Sequence, residues 1–411
     1  MRLKRALRGL RGLALAAGMG LGGAASGVAW AQSASPGVTA TSIKIGNTMP
    51  YSGPASSLGN VGKIVSAYFG MINERGGVNG RKLDFVSLDD GFAPPKTVEA
   101  VKRLVESDDV AFVYATMGTA PSTAVAKYLN TNKVPQIFLI SSAAKWNDPK
   151  NNPWSIALPW APNYPTEAAI DIRYAREKNP NARFAILYQN DDAGKEYVRG
   201  AREVLGAEAD KAIAMAAPFE VADPTVDSQV VSLAATNADV FLIYSVTPRA
   251  CAQAIRKAWE MNWRPLRFLS SGCANVDAIL KPAGLEASKG ILTLTSLKPV
   301  DVSSTDKGMV EYVQFMKTRV PSIDPNYSSG IYAYTVAQAL IAVLEQCKDD
   351  LSRENIMRQA TNLKGVSLPL LMAGITLNTT PDDYQPLKDG YMLSFDGEKF
   401  TPISGLLRGS R

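Results

Sequence analysis

The chain has 411 residues, a formal net charge of +6 at pH 7, three cysteines and no histidine. The absence of histidine excludes catalytic triads and general bases that use this residue, together with most zinc sites. Five basic residues lie within the first 11 positions, so removal of that segment would leave a net charge near +1. Such a chain has no electrostatic basis for binding nucleic acid.

The first 31 residues have the pattern of a cleaved secretory signal. Basic residues precede an apolar run at 13–28, which ends in Ala29, Trp30 and Ala31. An N-terminal membrane anchor is the alternative, but the run is short and glycine-rich for a spanning helix of about 20 residues. We therefore expect a periplasmic protein of about 380 residues, a length that fits two domains.

Hydrophobic periodicity predicts alternating strands and helices along the mature chain. Strands are predicted at 42–46, 83–88, 110–114 and 136–140, with helices at 59–73, 95–106 and 122–129. A second round has strands at 184–188, 240–244 and 267–269, with helices at 194–205 and 248–259. This alternation predicts an α/β fold with two lobes, each built on a doubly wound parallel sheet.

The last part of the chain is predicted to contain three helices, at 306–319, 330–347 and 353–362, and a strand pair at 391–395 and 399–403. Ligands of open α/β sheets bind beyond the carboxyl ends of the strands. We therefore expect a cleft between the two lobes that closes on a small molecule. The loops expected to face it follow Ile45, Tyr114, Ile140, Tyr188, Tyr244 and Leu269.

Several segments resemble the branched-chain amino-acid-binding (Leu/Ile/Val-binding) family of periplasmic proteins. They are residues 73–83 (NERGGVNGRKL) followed by Asp89 and Asp90, residues 52–54 (SGP), residues 191–194 (DDAG) and residues 351–355 (LSREN). The resemblance covers essentially the whole mature chain and implies a type I periplasmic binding protein fold with a three-strand hinge. It implies a first lobe of residues 36–158 plus 287–370 and a second lobe of residues 159–286 plus 371–411.

The resemblance also implies a function in transport. The chain would be the extracytoplasmic solute-binding component of an ABC importer, a monomer that needs no cofactor and is not an enzyme. The permease and the ATPase would be separate proteins, because residues 59–63 (GNVGK) lack the spacing of a phosphate-binding loop. A signalling receptor of the same fold, which presents a ligand to a sensor, is the alternative.

Amino-acid binders of this family hold the α-carboxylate with a hydroxyl after the third strand and a small-Ala-Thr motif after the fourth, and the α-ammonium with an acid of the second lobe. Here Gly118, Lys145 and Ser271 stand at these places. Without an acid at Ser271 a buried ammonium would lack a partner. We therefore expect an aromatic or otherwise hydrophobic carboxylate as ligand, with a branched-chain amino acid as the alternative.

Aromatic residues of the family are replaced by Leu58 and Ala193, which predicts a larger cleft. Lys145 could instead point into solvent, and Trp160 could pack the lobe junction. Asp191 and Asp192 could be a metal pair, although acids before a helix are more often caps. The predicted ligand contacts are Leu58, Met117, Gly118, Thr119, Ser141, Ser142, Ala143, Ala144, Lys145, Trp160, Tyr164, Ala193, Tyr244 and Ser271.

The three cysteines suggest one disulfide bond. Cys251 opens a predicted helix and Cys273 follows the next strand, so both would lie on the same edge of the second lobe. We expect these two to pair and Cys347 to stay buried or free.

Overall fold

The computed structural model describes residues 35–409, and the predicted signal at 1–31 lies outside them. Its strands are β1 Ser42–Met49, β2 Lys82–Asp89, β3 Phe112–Tyr114, β4 Gln136–Leu139, β5 Ser155–Ala157, β6 Phe184–Gln189, β7 Ile213–Phe219, β8 Val240–Tyr244, β9 Leu266–Leu269, β10 Leu292–Thr295, β11 Asp389–Phe395, β12 Phe400–Pro402 and β13 Leu407–Arg408. Its α-helices are α1 Asn60–Glu74, α2 Pro94–Glu106, α3 Thr119–Thr131, α4 Tyr164–Lys178, α5 Asp192–Leu205, α6 Ala209–Ala212, α7 Asp227–Ala234, α8 Pro248–Glu260, α9 Lys281–Ala283, α10 Leu285–Ser288, α11 Lys307–Arg319, α12 Ser328–Cys347 and α13 Arg353–Ala360. Within residues 35–409, none of the helices has both the length and the apolar character needed to cross a membrane.

The first lobe is built on a parallel sheet with the strand order β2-β1-β3-β4-β5. All three residues of β3 are fully buried, as expected for an apolar strand in a sheet that helices cover on both faces. In this order β1 lies between β2 and β3, so the loops after β1 and β3 flank the switch point of the sheet.

The second lobe is built on a larger sheet with the order β12-β11-β10-β9-β8-β6-β7, and β13 pairs with β11. The strands from β7 to β10 are parallel, whereas β11 pairs antiparallel with β10 and β12. The parallel part repeats the strand order of the first sheet. Two doubly wound α/β lobes in one chain confirm the predicted fold class.

The late helices α11, α12 and α13 pack in the first lobe, where α12 lies against α1. The Tyr334 ring of α12 meets the Tyr68 ring of α1 with centroids 4.9 Å apart. Hydrophobic periodicity predicts these helices but not their place, which only the resemblance implies.

The chain crosses between the lobes after β5, after β10 and before β11. Two of these crossings lie at residues that differ from the lobe boundaries implied by the resemblance. Strand β10 lies in the second sheet although the expected first lobe includes 287–370, and Leu371 and Leu377 lie in the first core although the expected second lobe begins at 371.

Most predicted elements appear within a few residues of their expected bounds. Three strands absent from the prediction are short or weakly patterned: β5 and β10 have three and four residues, and the sequence of β7, IAMAAPF, is rich in alanine. The helices α4 and α7 are also absent from it.

The expected disulfide joins α8 to the turn after β9. Cys251 and Cys273 are bonded with Cα atoms 6.6 Å apart, and both side chains are fully buried. Cys347, in α12, is buried and free within the described chain. The bond fixes the turn that carries Ser271 and Asn275.

Candidate functional site

Groups from the loops after β3 and β4 form a hydrogen-bonded chain. The hydroxyl oxygens of Thr119 and Ser141 lie 2.7 Å apart, and Trp146 Nε1 donates to Ser141 Oγ over 2.8 Å. The Ala143 backbone N–H donates to the same oxygen over 3.2 Å. A serine hydroxyl has one proton and two lone pairs. Protein groups therefore fill the capacity of Ser141, and a bond to a ligand carboxylate would require one of them to leave.

Tyr164, at the start of α4, connects this chain to the second lobe. Its hydroxyl lies 3.2 Å from Thr119 Oγ1, and its backbone N–H donates to the Ser142 carbonyl over 2.8 Å. The Tyr164 and Tyr197 ring centroids are 4.6 Å apart, and Tyr197 stacks on Tyr244 at 4.2 Å. The three rings thus extend from the first-lobe loops into the core of the second lobe.

Two buried carboxylates of α4 accept hydrogen bonds from these rings. The Tyr197 hydroxyl donates to Glu167 over 2.7 Å, and the Tyr244 hydroxyl donates to Asp171 over 3.2 Å. Burial raises the pKa of Glu167 to about 7. Burial, together with the charge of Glu167, raises the pKa of Asp171 well above its ordinary value.

Ser271 reaches the same carboxylate. Its backbone N–H and its hydroxyl donate to the two Glu167 oxygens over 2.7 and 2.8 Å. The expectation that no carboxylate lies at the Ser271 position is therefore wrong, because one reaches it from α4. We use the name tyrosine network for Thr119, Ser141, Tyr164, Glu167, Asp171, Tyr197, Tyr244 and Ser271.

The sequence does carry a signal for α4. Asn163 caps it by accepting from the Thr166 N–H, and Pro165 lies in its first turn, a common place for proline. Glu167 and Asp171 are four residues apart, a spacing that places both on one helix face. Tyr164, predicted as a single contact, is the first residue of this helix.

The loop after β4 also contacts α5 across the lobes. Lys145 Nζ lies 2.5 Å from Asp192 Oδ2 and 5.3 Å from the centroid of the Trp146 ring. The Ala144 N–H donates to Glu196 over 2.6 Å, and burial raises the pKa of Glu196. Two predicted ligand contacts, Ala144 and Lys145, therefore bridge the lobes.

Four other predicted contacts lie in packed surroundings. Leu58 and Met117 are buried in the first-lobe core, and Ala193 is buried in the first turn of α5. A Cβ atom on Gly118 would lie 2.4 Å from the Phe92 ring, and Gly118 has a φ of +95° that favours glycine. The space beside Gly118 is therefore filled by an aromatic ring.

The acids before α5 act as a helix cap. Asp191 accepts a hydrogen bond from the Gly194 N–H over 3.1 Å, as the cap interpretation predicts. Among residues 35–409 there is no cluster of three or more Asp, Glu or Cys side chains that could hold a metal ion.

A cavity of about 470 Å³ lies between the lobes beside the tyrosine network. The loop after β9, strand β10 and the β11–β12 hairpin form its second-lobe wall, and the first turn of α12 forms its first-lobe wall. Of the 14 predicted ligand contacts, Trp160 and Ser271 line it. The Trp160 ring packs 4.3 Å from the Tyr332 ring. Further lining residues are Asn275, Val276, Thr293, Leu294, Leu297, Val300, Ser328, Ser329, Ile331 and Leu393.

Three lysines on the cavity wall are each paired with an acid. The pairs are Lys281–Asp277 at 2.5 Å, Lys298–Asp306 at 2.7 Å and Lys399–Asp301 at 3.0 Å. Hydrogen bonds from Ser303 and Lys399 lower the pKa of Asp301 to about 2. These lysines therefore already have partners on the protein.

Residues 42–399 match the family described as "Periplasmic binding protein", and the chain belongs to this family. Among curated proteins, none matches the chain in sequence.

Solved structures share the fold at low sequence identity. A possible leucine/isoleucine/valine-binding protein from Rhodopirellula baltica has 20% identity and a TM-score of 0.78, over 89% of this chain and 97% of that one. A branched-chain amino acid ABC transporter protein from Thermus thermophilus, with bound valine, has 15% identity and a TM-score of 0.77, over 91% and 98%. An ABC transporter solute-binding protein from R. palustris, in complex with benzoate, has 18% identity and a TM-score of 0.71, over 89% and 96%.

Proposed function

We propose that this protein captures a small organic acid, with an aromatic or hydrophobic body, between its two lobes outside the cytoplasmic membrane and delivers it to an ABC importer. It acts by binding and not by catalysis. The observation that carries the proposal is the cavity of about 470 Å³ between the lobes.

The cavity suits such a ligand in size and lining. Ligand sites are concave, mostly apolar and contain a few polar groups that fix orientation. Trp160, Leu294 and Ile331 offer apolar surface, and Ser329 offers a hydroxyl in the first turn of α12. Because this helix has 20 residues, a carboxylate in the cavity would face the positive end of a long backbone dipole. Valine and benzoate, bound by two proteins of similar fold, both carry a carboxylate.

A branched-chain amino acid is the second candidate ligand, and one contact favours it. Ser271 lines the cavity and hydrogen-bonds to Glu167, so the Glu167 carboxylate lies directly behind Ser271 as seen from the cavity. An ammonium group at Ser271 would be stabilised by the ionised form of Glu167.

A thermal-shift series with the mature protein tests the proposal. Benzoate, 4-hydroxybenzoate and hexanoate should raise the melting temperature, while leucine and valine should not, because both Glu167 oxygens already accept hydrogen bonds from Ser271 or Tyr197. A ligand at about 100 times its Kd adds about 2.7 kcal/mol to the free energy of unfolding. Strong stabilisation by leucine or valine alone would support the second candidate instead.

Two tryptophan variants provide matched controls. Trp160→Ala removes apolar surface from the cavity and should abolish the shift produced by the acids. Trp154→Ala changes a half-buried tryptophan of the first-lobe core and should keep it. Loss of uptake of the identified acid in a deletion strain would separate transport from sensing.

A further inference from the structure

The apolar lining of the cavity continues outward to residues that solvent reaches. Leu294 and Ile331 are buried, whereas Leu285, at the start of α10, is 37% exposed and Val302, in the segment after β10, is 45% exposed. All four residues line the cavity. A ligand in the cavity can therefore contact Leu285 and Val302 directly, because both side chains are accessible.

Hydrogen bonds hold Val302 at this place. The preceding residue, Asp301, accepts from the Ser303 backbone N–H and from Lys399 Nζ, each over 3.0 Å. Lys399 lies between β11 and β12, so these contacts tie the segment after β10 to the second lobe. The exposed valine is thus a fixed part of the cavity wall.

Two half-buried valines complete an apolar outer wall, which we define as Val276, Leu285, Val300 and Val302. Single exposed apolar residues are common on protein surfaces. A group of them around one cavity is different, because exposed apolar patches mark places where apolar partners or ligands bind. The outer wall therefore offers apolar contact to the part of a ligand that lies nearest to solvent.

The charged groups beside the outer wall disfavour a second anionic group on the ligand. Asp277 and Asp301 line the cavity there, and each is paired with a lysine of the same wall, Lys281 or Lys399. A second carboxylate would meet two acids whose lysine partners are already engaged. The outer end of the cavity therefore suits an uncharged, apolar group.

The size of the cavity agrees with an extended ligand. Its volume of about 470 Å³ falls within the range of about 300–1,000 Å³ that is typical of pockets for drug-sized molecules. Such molecules are larger than benzoate or valine. A short acid bound at α12 would leave the outer wall without a contact.

We propose that the ligand is an acid with a long apolar body, such as a medium-chain alkanoate, with its carboxylate at the first turn of α12 and its far end on the outer wall. The inference rests on the proposed function and narrows the ligand from short acids to extended ones. The helix α10, which carries Leu285, packs against α8 in the second lobe, whereas α12 belongs to the first. A ligand of this length would therefore contact both lobes.

Titration calorimetry with alkanoates of increasing length tests this. The probes are butanoate, hexanoate, octanoate and decanoate, with benzoate as a short aromatic acid. Each methylene group that becomes buried should tighten binding by about fourfold. Octanoate should therefore bind the wild-type protein about tenfold more tightly than hexanoate.

Two double variants show whether the outer wall causes this preference. In Leu285→Ser/Val302→Ser, octanoate and hexanoate should bind with affinities within about twofold of each other, and the affinity for butanoate should stay that of the wild-type protein. The matched control is Val231→Ser/Val310→Ser, which changes two exposed valines that do not line the cavity and should keep the preference. All four substitutions are at exposed positions, so both variants should keep the wild-type melting temperature within a few degrees.

Equal affinities of the wild-type protein for hexanoate and octanoate would overturn the inference, as would a preference that survives in Leu285→Ser/Val302→Ser or is lost in both double variants. Binding of benzoate without binding of any alkanoate would also overturn it. Each of these results leaves the proposed function intact. If neither the alkanoates nor benzoate bind the folded protein, the proposed ligand class is wrong and the inference fails with it.

Discussion

The tyrosine network and the cavity are neighbours between the same two lobes, and both contain hydroxyl groups near aromatic rings. They differ in how those hydroxyls are used. In the network, Ser141 hydrogen-bonds to Thr119 and Trp146, and Tyr197 hydrogen-bonds to Glu167, so the partners of these hydroxyl groups are other protein groups. In the cavity, the Ser329 hydroxyl lies beside apolar side chains such as Trp160 and Ile331, which a ligand can contact.

This difference separates residues that join the lobes from residues that can bind a ligand. Buried polar groups that are paired add rigidity, whereas a mostly apolar cavity with a few polar groups suits a ligand. Ser271 belongs to both regions, since it lines the cavity and donates to Glu167. If the two regions are separate, a change in the tyrosine network should alter stability more than ligand affinity, and a change at the shared turn should alter both.

The largest effect is expected from the disulfide, which holds the turn shared by both regions. Replacing Cys251 and Cys273 by alanine should lower the free energy of unfolding by about 3 kcal/mol, since the bond closes a loop with a sequence separation of 22. Denaturant unfolding measures this change, and calorimetry should show weaker ligand binding as well. Cys347→Ala is the control, with a smaller loss of about 1 kcal/mol and unchanged affinity. Unchanged affinity in the double variant would show that the turn keeps its form without the bond.

The pH dependence of stability, compared between the wild-type protein and a Glu167 variant, tests the tyrosine network. The pKa of Glu167 is about 7 in the folded protein against an ordinary 4.5, so the folded state retains a proton that the unfolded state has lost. Glu167 should therefore make the free energy of unfolding fall as pH rises from about 4.5 to about 7, by at most about 1.4 kcal/mol per pH unit. Denaturant unfolding from pH 4 to pH 8 measures the slope.

Glu167→Gln should reduce this slope, because the variant has no proton to lose at that position and no longer raises the pKa of Asp171 by its charge. Glu203→Gln, at an exposed acid of α5, should leave it unchanged. An equal slope in the wild-type protein and in Glu167→Gln would contradict the raised pKa of Glu167.

The smallest effect is expected at Lys145. Its pair with Asp192 is partly exposed, and such pairs contribute about 0.2–1 kcal/mol. Lys145→Ala should therefore change ligand affinity by less than about fivefold, measured by calorimetry. Lys281→Ala, at a paired lysine of the cavity wall, is the control. A loss of affinity well above tenfold would mean that Lys145 contacts the ligand, as the sequence-based hypothesis holds.

The fold was more predictable from sequence than the site. Continuous apolar runs such as 110–114 and 240–244 indicate buried strands, and such a run can be recognised without knowing which distant residues it contacts. The position of α12 in the first lobe depends on its contacts with α1, which the local sequence pattern does not show. Only the resemblance to the family implies this position. The short strand β10 has too few residues to show a period, and its placement in the second sheet could not be predicted.

For the site, the sequence indicated which residues lie close together, but not that they hydrogen-bond to one another instead of to a ligand. Thr119, Ser141, Tyr164, Tyr244 and Ser271 do come together, as the rule for strand ends predicts. Whether these side chains hydrogen-bond to one another or to a ligand depends on interatomic distances that the sequence does not contain. Most of the cavity wall other than Trp160 and Ser271 was missed because residues such as Leu294 lie inside a strand, and the rule directs attention to loops.

The three crossings of the chain have a consequence for the order of folding. The first-lobe core includes Ile43 near the start and Leu387 near the end, and the second sheet receives β11, β12 and β13 from residues 389–408. The five strands of the first sheet lie within residues 42–157, but the core of the first lobe and the sheet of the second are complete only when almost the whole chain is available. Folding is thereby deferred to the end of synthesis, and neither lobe corresponds to a continuous fragment that could be produced alone.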